Sequence, residues 1–448
     1  MKKLLLYTLP FISIQAFSQF DPPVIIDDTP ASGGIKRIVS ADLNNDGHNE
    51  IIVVQAFNID NVAYYTNNGD GTFTGKVTID ADLDDPVYVA TGDFNDDNWT
   101  DLAVITQTSA QIYIYLNNTE GGFTRQMIDD DFFFGNSIVV SDFDENGSDD
   151  IVAIGQHSID FFRNDGNAGF TKEHILTTST SPNVLECMSV KVADMNGDGH
   201  DDLVSGETLG GVIYFNDGNG TFTPQLFTDN LFITTFIQVG DVNNDTFKDV
   251  ILRHSSNNIN LYLNDGEGNM TFSATLFTIQ QLESMLFTDV DGDGFDDIYT
   301  AHANKVRVIM NNGDATFAPD TILYENNAQF ISQVALANID GEPDLEYIWS
   351  AAGGTLAYQK KTPPPLSVSK NAKQEIAVYP NPAQDYVTIT LPDMATAHIN
   401  LYTTMGQKMM GSTVTGTQTL DVSGLQTGIY ILEVKNNTNT YNVKVIKQ

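Results

Sequence analysis

The sequence predicts an all-β protein, and three observations support this prediction. A nine-residue acidic motif recurs about every 50 residues. Four short apolar runs accompany each copy, rich in β-branched and aromatic residues and bounded by Asn, Asp and Gly. We find no helical periodicity of useful length. Four strands per repeat are typical of a β-propeller blade, so we predict a seven-bladed β-propeller followed by a small β-sandwich.

The first 18 residues have the order of a secretory signal peptide. Met1-Lys2-Lys3 is basic, an apolar run follows, and Ala16-Phe17-Ser18 supplies small residues before the expected cleavage. The run is too short to span a membrane, and no other segment approaches the length of a spanning helix. We therefore expect export through the periplasm and no transmembrane segment.

Composition limits the classes of partner. The 448 residues include 59 acidic against 21 basic side chains, giving a formal net charge of -38. Such a surface repels nucleic acid, which we therefore exclude as a partner. Cys187 is the single cysteine, so no disulfide can form within the chain.

The acidic motif divides residues 19–360 into repeats. Its seven copies are separated by 51, 49, 52, 47, 48 and 49 residues. They begin at Asp42, Asp93, Asp142, Asp194, Asp241, Asp289 and, in a weaker form, Asn338. Spacing this even does not arise from composition alone, and it predicts one blade for each copy.

The two ends of the repeat region predict how the ring closes. The last repeat stops at Lys360 after three strands, whereas residues 20–27 have the pattern of a fourth strand with no blade before it. We expect this N-terminal strand to lie beside Leu356 and Tyr358 and to complete the seventh blade. Closure removes exposed strand edges.

Residues beyond the ring form a linker and a second domain. The segment 361–375 is rich in Pro, Ser and Lys, which is typical of a linker. Residues 376–448 contain alternating strands with turns about every ten residues, which predicts a small antiparallel sandwich.

The spacing within the motif predicts calcium sites. Carboxylate or amide oxygens at positions one, three, five and nine, with a backbone carbonyl at position seven, match the ligands of this hard cation. The predicted ligands are Asp42, Asn44, Asp46, His48 and Glu50; Asp93, Asn95, Asp97 and Asp101; Asp142, Asp144, Asn146, Ser148 and Asp150; Asp194, Asn196, Asp198, His200 and Asp202; and Asp289, Asp291, Asp293, Phe295 and Asp297. An EF-hand is excluded, because its position-twelve Glu is replaced here by residues such as Val53 and Val104.

Position six separates strong copies from weak ones. Most copies have Gly there, where the chain must turn sharply, and Asn98 tolerates the same conformation. Thr246 is unfavourable because it is β-branched, and Pro343 cannot adopt positive φ. Repetition in nearly every blade indicates several structural Ca²⁺ ions, and the alternative is that Asp and Asn only cap turns through hydrogen bonds.

We expect function on the face opposite these loops. The second strands end there at Gln55, Glu207, His254 and His302, and one inter-blade connection contains Phe132, Phe133 and Phe134. Aromatic rings beside amides and carboxylates suit an extracellular glycan or protein ligand, whereas ordinary loop polarity is the simpler explanation. We find no nucleophile elbow, HExxH motif or phosphate loop.

Three functions remain open at this stage. The first is an adhesive binding protein for a glycan or protein. The second is an extracellular polysaccharide-active enzyme, a lyase or hydrolase, because carboxylates for glycoside chemistry abound, although none stands apart from the metal loops. The third is a passive surface-layer component.

The repeats resemble the FG-GAP/VCBS family, which includes the integrin α-subunit propeller. Loops such as Asp194-Met195-Asn196-Gly197-Asp198-Gly199-His200-Asp201-Asp202 carry this resemblance, together with turns such as Asn67-Asn68-Gly69-Asp70-Gly71-Thr72-Phe73. It implies a seven-bladed ring with calcium in the loops, used for adhesion or glycan binding and in some relatives for polysaccharide cleavage. Asn98, Thr246 and Pro343 depart from the family pattern.

The C-terminal domain resembles the type A sorting domain of the type IX secretion system. Three blocks match in order: Val378-Tyr379-Pro380-Asn381-Pro382-Ala383, Leu401-Tyr402-Thr403-Thr404-Met405-Gly406-Gln407-Lys408, and Leu425-Gln426-Thr427-Gly428-Ile429-Tyr430. The resemblance implies passage across the outer membrane by the type IX machinery, followed by release or surface attachment.

Overall fold

The computed structural model describes residues 21–29, 34–56, 61–119, 121–132, 134–156, 158–177, 187–208, 210–228, 234–290, 293–326, 329–341, 345–360, 377–391, 396–403, 407–435 and 440–448. The predicted signal peptide and linker lie outside these residues, as do Phe133, Asp291 and Pro343. The chain divides into two compact units, Met1–Pro364 and Pro365–Gln448.

The first unit consists of short strands. The N-terminal strand is β1 (Val24–Asp27). Sheet 1 contains β2 (Ile35–Ala41), β3 (Glu50–Gln55), β4 (Asn61–Asn67) and β5 (Phe73–Asp80), and sheet 2 contains β6 (Pro86–Gly92), β7 (Asp101–Thr106), β8 (Ile112–Asn117) and β9 (Phe123–Asp129). Sheet 3 contains β10 (Gly135–Ser141), β11 (Asp150–Gly155), β12 (Ser158–Asn164) and β13 (Phe170–Thr177), and sheet 4 contains β14 (Cys187–Ala193), β15 (Asp202–Glu207), β16 (Gly210–Asn216) and β17 (Phe222–Leu226). Sheet 5 contains β18 (Thr234–Gly240), β19 (Asp249–His254), β20 (Asn258–Asn264) and β21 (Met270–Thr278), and sheet 6 contains β22 (Leu282–Thr288), β23 (Asp297–His302), β24 (Lys305–Ile309) and β25 (Thr321–Glu325). Sheet 7 contains β26 (Ile331–Ala337), β27 (Glu346–Ala351) and β28 (Leu356–Gln359), joined by β1.

These strands form a closed ring of sheets. In the described part of this unit there are seven four-stranded antiparallel sheets, and in six of them the strands follow chain order. The first strands contact one another in the cyclic order β2, β6, β10, β14, β18, β22, β26 and back to β2. This is the arrangement of a β-propeller, so the predicted fold class is confirmed.

The two ends of the unit meet in sheet 7. Strand β1 pairs antiparallel with β28, with Val24 opposite Tyr358 and Ile25 opposite Ala357. The Asp21 N–H donates to the Lys360 carbonyl at 3.1 Å, which extends the pairing beyond the strands. The segment that the sequence marks as an orphan fourth strand therefore occupies the expected edge.

The apolar pattern of the strands follows from their position in the ring. Strands β3, β7, β11, β15 and β27 are buried at every residue, because neighbouring sheets cover both of their faces. The outermost strands, such as β9, are largely exposed. Apolar clusters fill the spaces between sheets; in one of them Ile105 and Ile114 of sheet 2 pack with Ile138 and Phe162 of sheet 3.

The second unit contains two packed sheets. Its strands are β29 (Ala377–Tyr379), β30 (Tyr386–Thr390), β31 (Thr396–Thr403), β32 (Lys408–Thr415), β33 (Thr417–Asp421), β34 (Gly428–Lys435) and β35 (Thr440–Lys447). One sheet has the order β29-β30-β33 and the other β32-β31-β34-β35. Val387 and Ile389 of the first share a core with Leu401 and Leu432 of the second, as in a small sandwich. Across the described residues of both units, no helix has the length and apolarity needed to cross a membrane.

Candidate functional site: acidic loops and an outer groove

Each copy of the acidic motif joins the first and second strands of a sheet. Position nine is the first residue of the second strand in all seven sheets, from Glu50 in β3 to Glu346 in β27. Strands flank the loops on both sides, as expected from the sequence. Asp291, Gly292 and Glu342 lie outside the described residues, so the loops that begin at Asp289 and Asn338 are described only in part.

In five loops the position-one carboxylate accepts hydrogen bonds from the backbone at positions five and six. In sheet 3, Asp142 accepts the Gly147 N–H through Oδ2 and the Asn146 N–H through Oδ1, both at 2.9 Å. The equivalent pair of bonds, from positions five and six, recurs at Asp42, Asp93, Asp241 and Asp289. The loop backbone therefore holds this side chain with its oxygens turned inward.

In the five fully described loops, two positions adopt positive φ. Gly147 at position six has φ 94°, which explains the glycine predicted there. Position four also has positive φ, as at Asn45 (57°) and Glu145 (54°), and sequence reasoning missed it. Thr246 adopts φ 78° despite its branched side chain, so this loop keeps the turn of the other copies at a position that is unfavourable for a β-branched residue. The bonds to Asp241 hold it there.

The position-nine carboxylate is a buried clamp. Asp202 is fully buried; its Oδ2 accepts the Met195 N–H at 2.9 Å and its Oδ1 accepts the Asn216 N–H at 2.8 Å. The first bond fixes the loop and the second fixes the end of the third strand. The same two bonds recur at Glu50, Asp101, Asp150, Asp249 and Asp297.

An asparagine at the end of the third strand links neighbouring sheets. Asn216 donates through Nδ2 to the Phe143 carbonyl of sheet 3 at 2.8 Å. Equivalent bonds run from Asn117 to Leu43, Asn164 to Phe94, Asn264 to Met195 and Asn311 to Val242. In sheet 7 the Tyr347 hydroxyl takes this role, donating to the Val290 carbonyl at 2.9 Å. Sequence reasoning treated these asparagines as turn residues only, although their recurrence was a usable signal.

The buried position-nine carboxyls have raised pKa values. Burial raises the pKa of Asp150 to about 7, although backbone N–H donors oppose the shift; nearby Asp142 and Asp144 raise it further. Burial likewise raises the pKa of Asp101, Asp202 and Asp249 to about 6. A positive ion would favour the charged form of each group.

The donor set fits a hard cation. Oxygens of Asp142, Asp144 and Asp150 lie within 4.8 Å of one another. Arg163 also donates to Asp144, so a guanidinium now satisfies part of this cluster. In loops with Asn at position three, the side-chain amide donates a hydrogen bond within the loop, as Asn196 Nδ2 does to Asp198 Oδ2 at 2.8 Å. All of these groups carry the oxygens that Ca²⁺ uses as ligands.

The side chain at position seven reaches towards the preceding sheet. Ser148 donates to Asp96 at 3.0 Å, and His200 contacts Glu145, which raises the pKa of this exposed histidine. The His48 ring instead lies against Gly69 in a turn of its own sheet, where an added Cβ would clash with it. The sequence prediction assigned this position a backbone role alone, so these inter-sheet contacts are additional.

On the opposite face three of the candidate ligand-binding residues are buried within the fold. Gln55 and Glu207 are buried; Lys76 bonds to Gln55, and the Tyr214 hydroxyl donates to Glu207 at 2.6 Å. Phe132 is also fully buried, packing between sheets 2 and 3, so its prediction as a surface contact is wrong.

The remaining described candidates on that face differ in their exposure and location. Phe134 is 39% exposed, His302 is half-buried, and His254 lies at the wall of an outer groove.

The groove, which we call the sheet-5 groove, has a volume of about 590 Å³. It is lined by Phe227 of the sheet 4 side and by His254, Ser256, Asn258, Asn260, Tyr262, Met270, Thr271, Phe272 and Thr275. Tyr262 contacts Phe227 and Phe272 edge to face, with ring centroids 5.4 and 5.6 Å apart. Phe272 is 53% exposed. The groove therefore presents aromatic surface beside amide and hydroxyl groups.

Comparisons with solved structures find propeller-like neighbours. An Agrocybe aegerita lectin, described as recognising non-reducing terminal N-acetylglucosamine, is similar with TM-score 0.52 and 19% identity over 65% of this chain and 81% of its own. The BBS1N–ARL6DN complex soaked with lead matches with TM-score 0.55 and 14% identity over 78% and 98% of the respective chains. These identities support the fold alone, and no curated protein matches the chain.

Two family models match the sequence. The FG-GAP-like repeat matches residues 42–104, 93–153, 142–205, 194–252 and 289–349. The secretion system C-terminal sorting domain matches residues 377–448, and this domain marks proteins that the type IX system delivers to the cell surface or outside. The chain therefore belongs to the FG-GAP-like repeat family and is a type IX secretion substrate.

Proposed function

We propose that this secreted or surface-displayed propeller is a glycan-binding protein whose ring is stabilised by calcium. The observation that carries the proposal is the sheet-5 groove, where a half-exposed aromatic ring lies beside hydrogen-bonding side chains. Sugars combine apolar C–H faces with hydroxyl groups, so they need both kinds of surface from a binding site.

Phe272 supplies the apolar platform in this proposal. Its ring is held by Tyr262, which Phe227 supports in turn, so the exposed face is fixed before a ligand arrives. Asn260 is oriented by the Thr275 hydroxyl, which donates to Asn260 Oδ1 at 2.8 Å. A site organised in this way loses little conformational entropy on binding.

The lining favours binding over hydrolysis. Glycoside hydrolysis ordinarily uses two carboxyl groups that flank the scissile bond. Among the described residues that line the sheet-5 groove there is no Asp or Glu. Polysaccharide cleavage is the alternative function, and product analysis separates it from binding.

Calcium has a structural role in this proposal. The repeated loops gather carboxylate and amide oxygens at one end of the sheets, and burial raises the pKa of the position-nine carboxyls. Bound Ca²⁺ ions would offset this charge and fix the connection between the first and second strands.

The test is a glycan array with the full chain in calcium, followed by calorimetry on each hit. We expect Phe272→Ala to weaken binding about tenfold or more, the loss expected from removing one aromatic anchor. Phe330→Ala is the matched control, because Phe330 is 54% exposed but lies outside the groove. Equal affinity of both variants, or cleavage of the bound glycan, would contradict the proposal.

A further inference from the structure

A separate cavity of about 300 Å³ lies on the axis of the ring. Its lining includes residues from the first strand of all seven sheets, from β2 through β26. These residues come mainly from the early part of each strand, and every first strand runs towards its acidic loop. The cavity, which we call the axial cavity, is therefore placed towards the face opposite those loops.

The axial cavity concentrates the scarce positive charge of the protein. Lys36, Arg37 and Lys191 all line it, and they are three of the twelve basic residues between Phe20 and Lys360. Glu283 is the single acidic residue in the lining. The local charge is thus opposite in sign to the formal net charge of -38.

Among the described residues, two of these cations lack a close acidic partner, whereas half of the twelve basic residues in the ring have one. Six other basic residues have a carboxylate within 4.0 Å: Arg125, Arg163, Lys172, Lys305, Arg307 and Lys360. Within the described residues, Arg37 and Lys191 have no such partner. Arg37 lies over the Tyr88 ring at 4.3 Å, and its buried Nε finds no acceptor there. Partly buried cations without an acidic partner are costly and uncommon.

The titration of neighbouring groups agrees with this geometry. Burial lowers the pKa of Lys191, and Arg37 lowers it further, although Tyr88 acts in the opposite direction. Burial raises the pKa of Tyr88, but the charges of Arg37 and Lys191 and a hydrogen bond with Ser137 lower it by more. The pKa of Tyr88 is therefore lowered overall. The charges of Arg37 and Lys191 therefore act on the same small volume beside Tyr88.

We propose that the axial cavity binds a small oxyanion, a carboxylate or sulfate group, between Arg37 and Lys191. Such a group would supply the acceptor that Arg37 Nε lacks and would separate two repelling cations. Ser137 and Ser189 in the same lining offer hydroxyl donors to the remaining oxygens or to attached sugar hydroxyls. This site is distinct from the sheet-5 groove, so either proposal can fail without the other.

The test measures binding of sulfate, D-glucuronate and glucose to the full chain in calcium at constant ionic strength, by calorimetry. We expect saturable 1:1 binding of at least one anion. Binding of sulfate identifies a free oxyanion as sufficient, whereas binding of glucuronate alone identifies an acidic sugar as the ligand. Glucose is the neutral comparison, and Phe272→Ala removes any contribution from the sheet-5 groove. Binding of neither anion, or equal binding of glucose and glucuronate by Phe272→Ala, would overturn the proposal.

Substitutions in the cavity provide the second readout. Arg37→Gln and Lys191→Met should each weaken anion binding about tenfold or more, because each removes a charge-assisted hydrogen bond. Lys305→Gln is the matched control, since Lys305 pairs with Glu325 at 3.4 Å outside the cavity.

Melting in the absence of anion separates a binding role from a structural one. Lys191→Met should melt at the same temperature as the parent or higher, because it removes an uncompensated charge. A lower melting temperature together with unchanged anion affinity would assign Lys191 a structural role and overturn the inference.

Discussion

Replacing Asn216 by Ala tests the link between adjacent sheets. The buried amide donates to the Phe143 carbonyl at 2.8 Å and to the Asp201 carbonyl at 3.2 Å, and it accepts the N–H groups of Gly218 and Gly220 at 3.2 Å. A hydrogen bond contributes about 1 kcal/mol net, and a buried carbonyl left without its donor costs about 1–3 kcal/mol. The three 3.2 Å bonds contribute at the low end of these ranges, so we expect the free energy of unfolding to fall by about 3 kcal/mol.

The assay is urea unfolding in millimolar calcium, followed by far-ultraviolet circular dichroism. Asn219→Ala is the matched control from the same turn, because its side chain makes an exposed 3.3 Å contact with the Asp217 carbonyl. We expect that variant to change stability by less than about 0.5 kcal/mol. Equal effects of the two substitutions would refute the inter-sheet role of Asn216.

Two further predictions concern the acidic loops. Thr246→Asn should stabilise the ring by about 1 kcal/mol, because Asn tolerates the φ of 78° better than a β-branched residue. Asn98 already occupies this position in sheet 2 at φ 64°. A thermal melt that shows no stabilisation would contradict this reasoning. The calcium-induced rise in melting temperature should be larger at about pH 8 than at about pH 5. In the folded chain the pKa is raised to about 7 for Asp150 and to about 6 for Asp101. Such a carboxyl stabilises the metal-free chain at low pH, and this contribution is lost as pH rises through the folded pKa. Ca²⁺ binds the ionised form, so its effect grows over the same pH range. Melts in calcium and in chelator at both pH values check it, and a pH-independent difference would contradict it.

Local patterns made the fold and the loops predictable. A strand needs about six residues and the acidic motif needs nine, so both can be recognised within one repeat. Closure by β1 was also predictable, because the last repeat lacks its fourth strand and an extra strand precedes the first repeat. The strand pattern, the acidic motif and the strand count can all be read from the sequence of a repeat and its neighbours.

Contacts between repeats were not predictable in the same way. Asn216 and Phe143 are 73 residues apart, and Lys191 meets Arg37 only because the ring brings the first strands together. Phe132 was misjudged for the same reason, since sheet 3 supplies the apolar neighbours that bury it. The sheet-5 groove likewise depends on Phe227 from an adjacent sheet.

The most direct test of the account is a thermal melt of the full chain in 10 mM calcium and in excess chelator at equal ionic strength. With calcium at roughly 10–100 times Kd, each occupied loop should add about 1.4–2.7 kcal/mol. Asp142→Asn should reduce the calcium-induced shift, and sodium at matched ionic strength should not reproduce it. We predict a markedly lower melting temperature in chelator, whereas identical melting in calcium and in chelator would contradict the proposal that these loops are structural calcium sites.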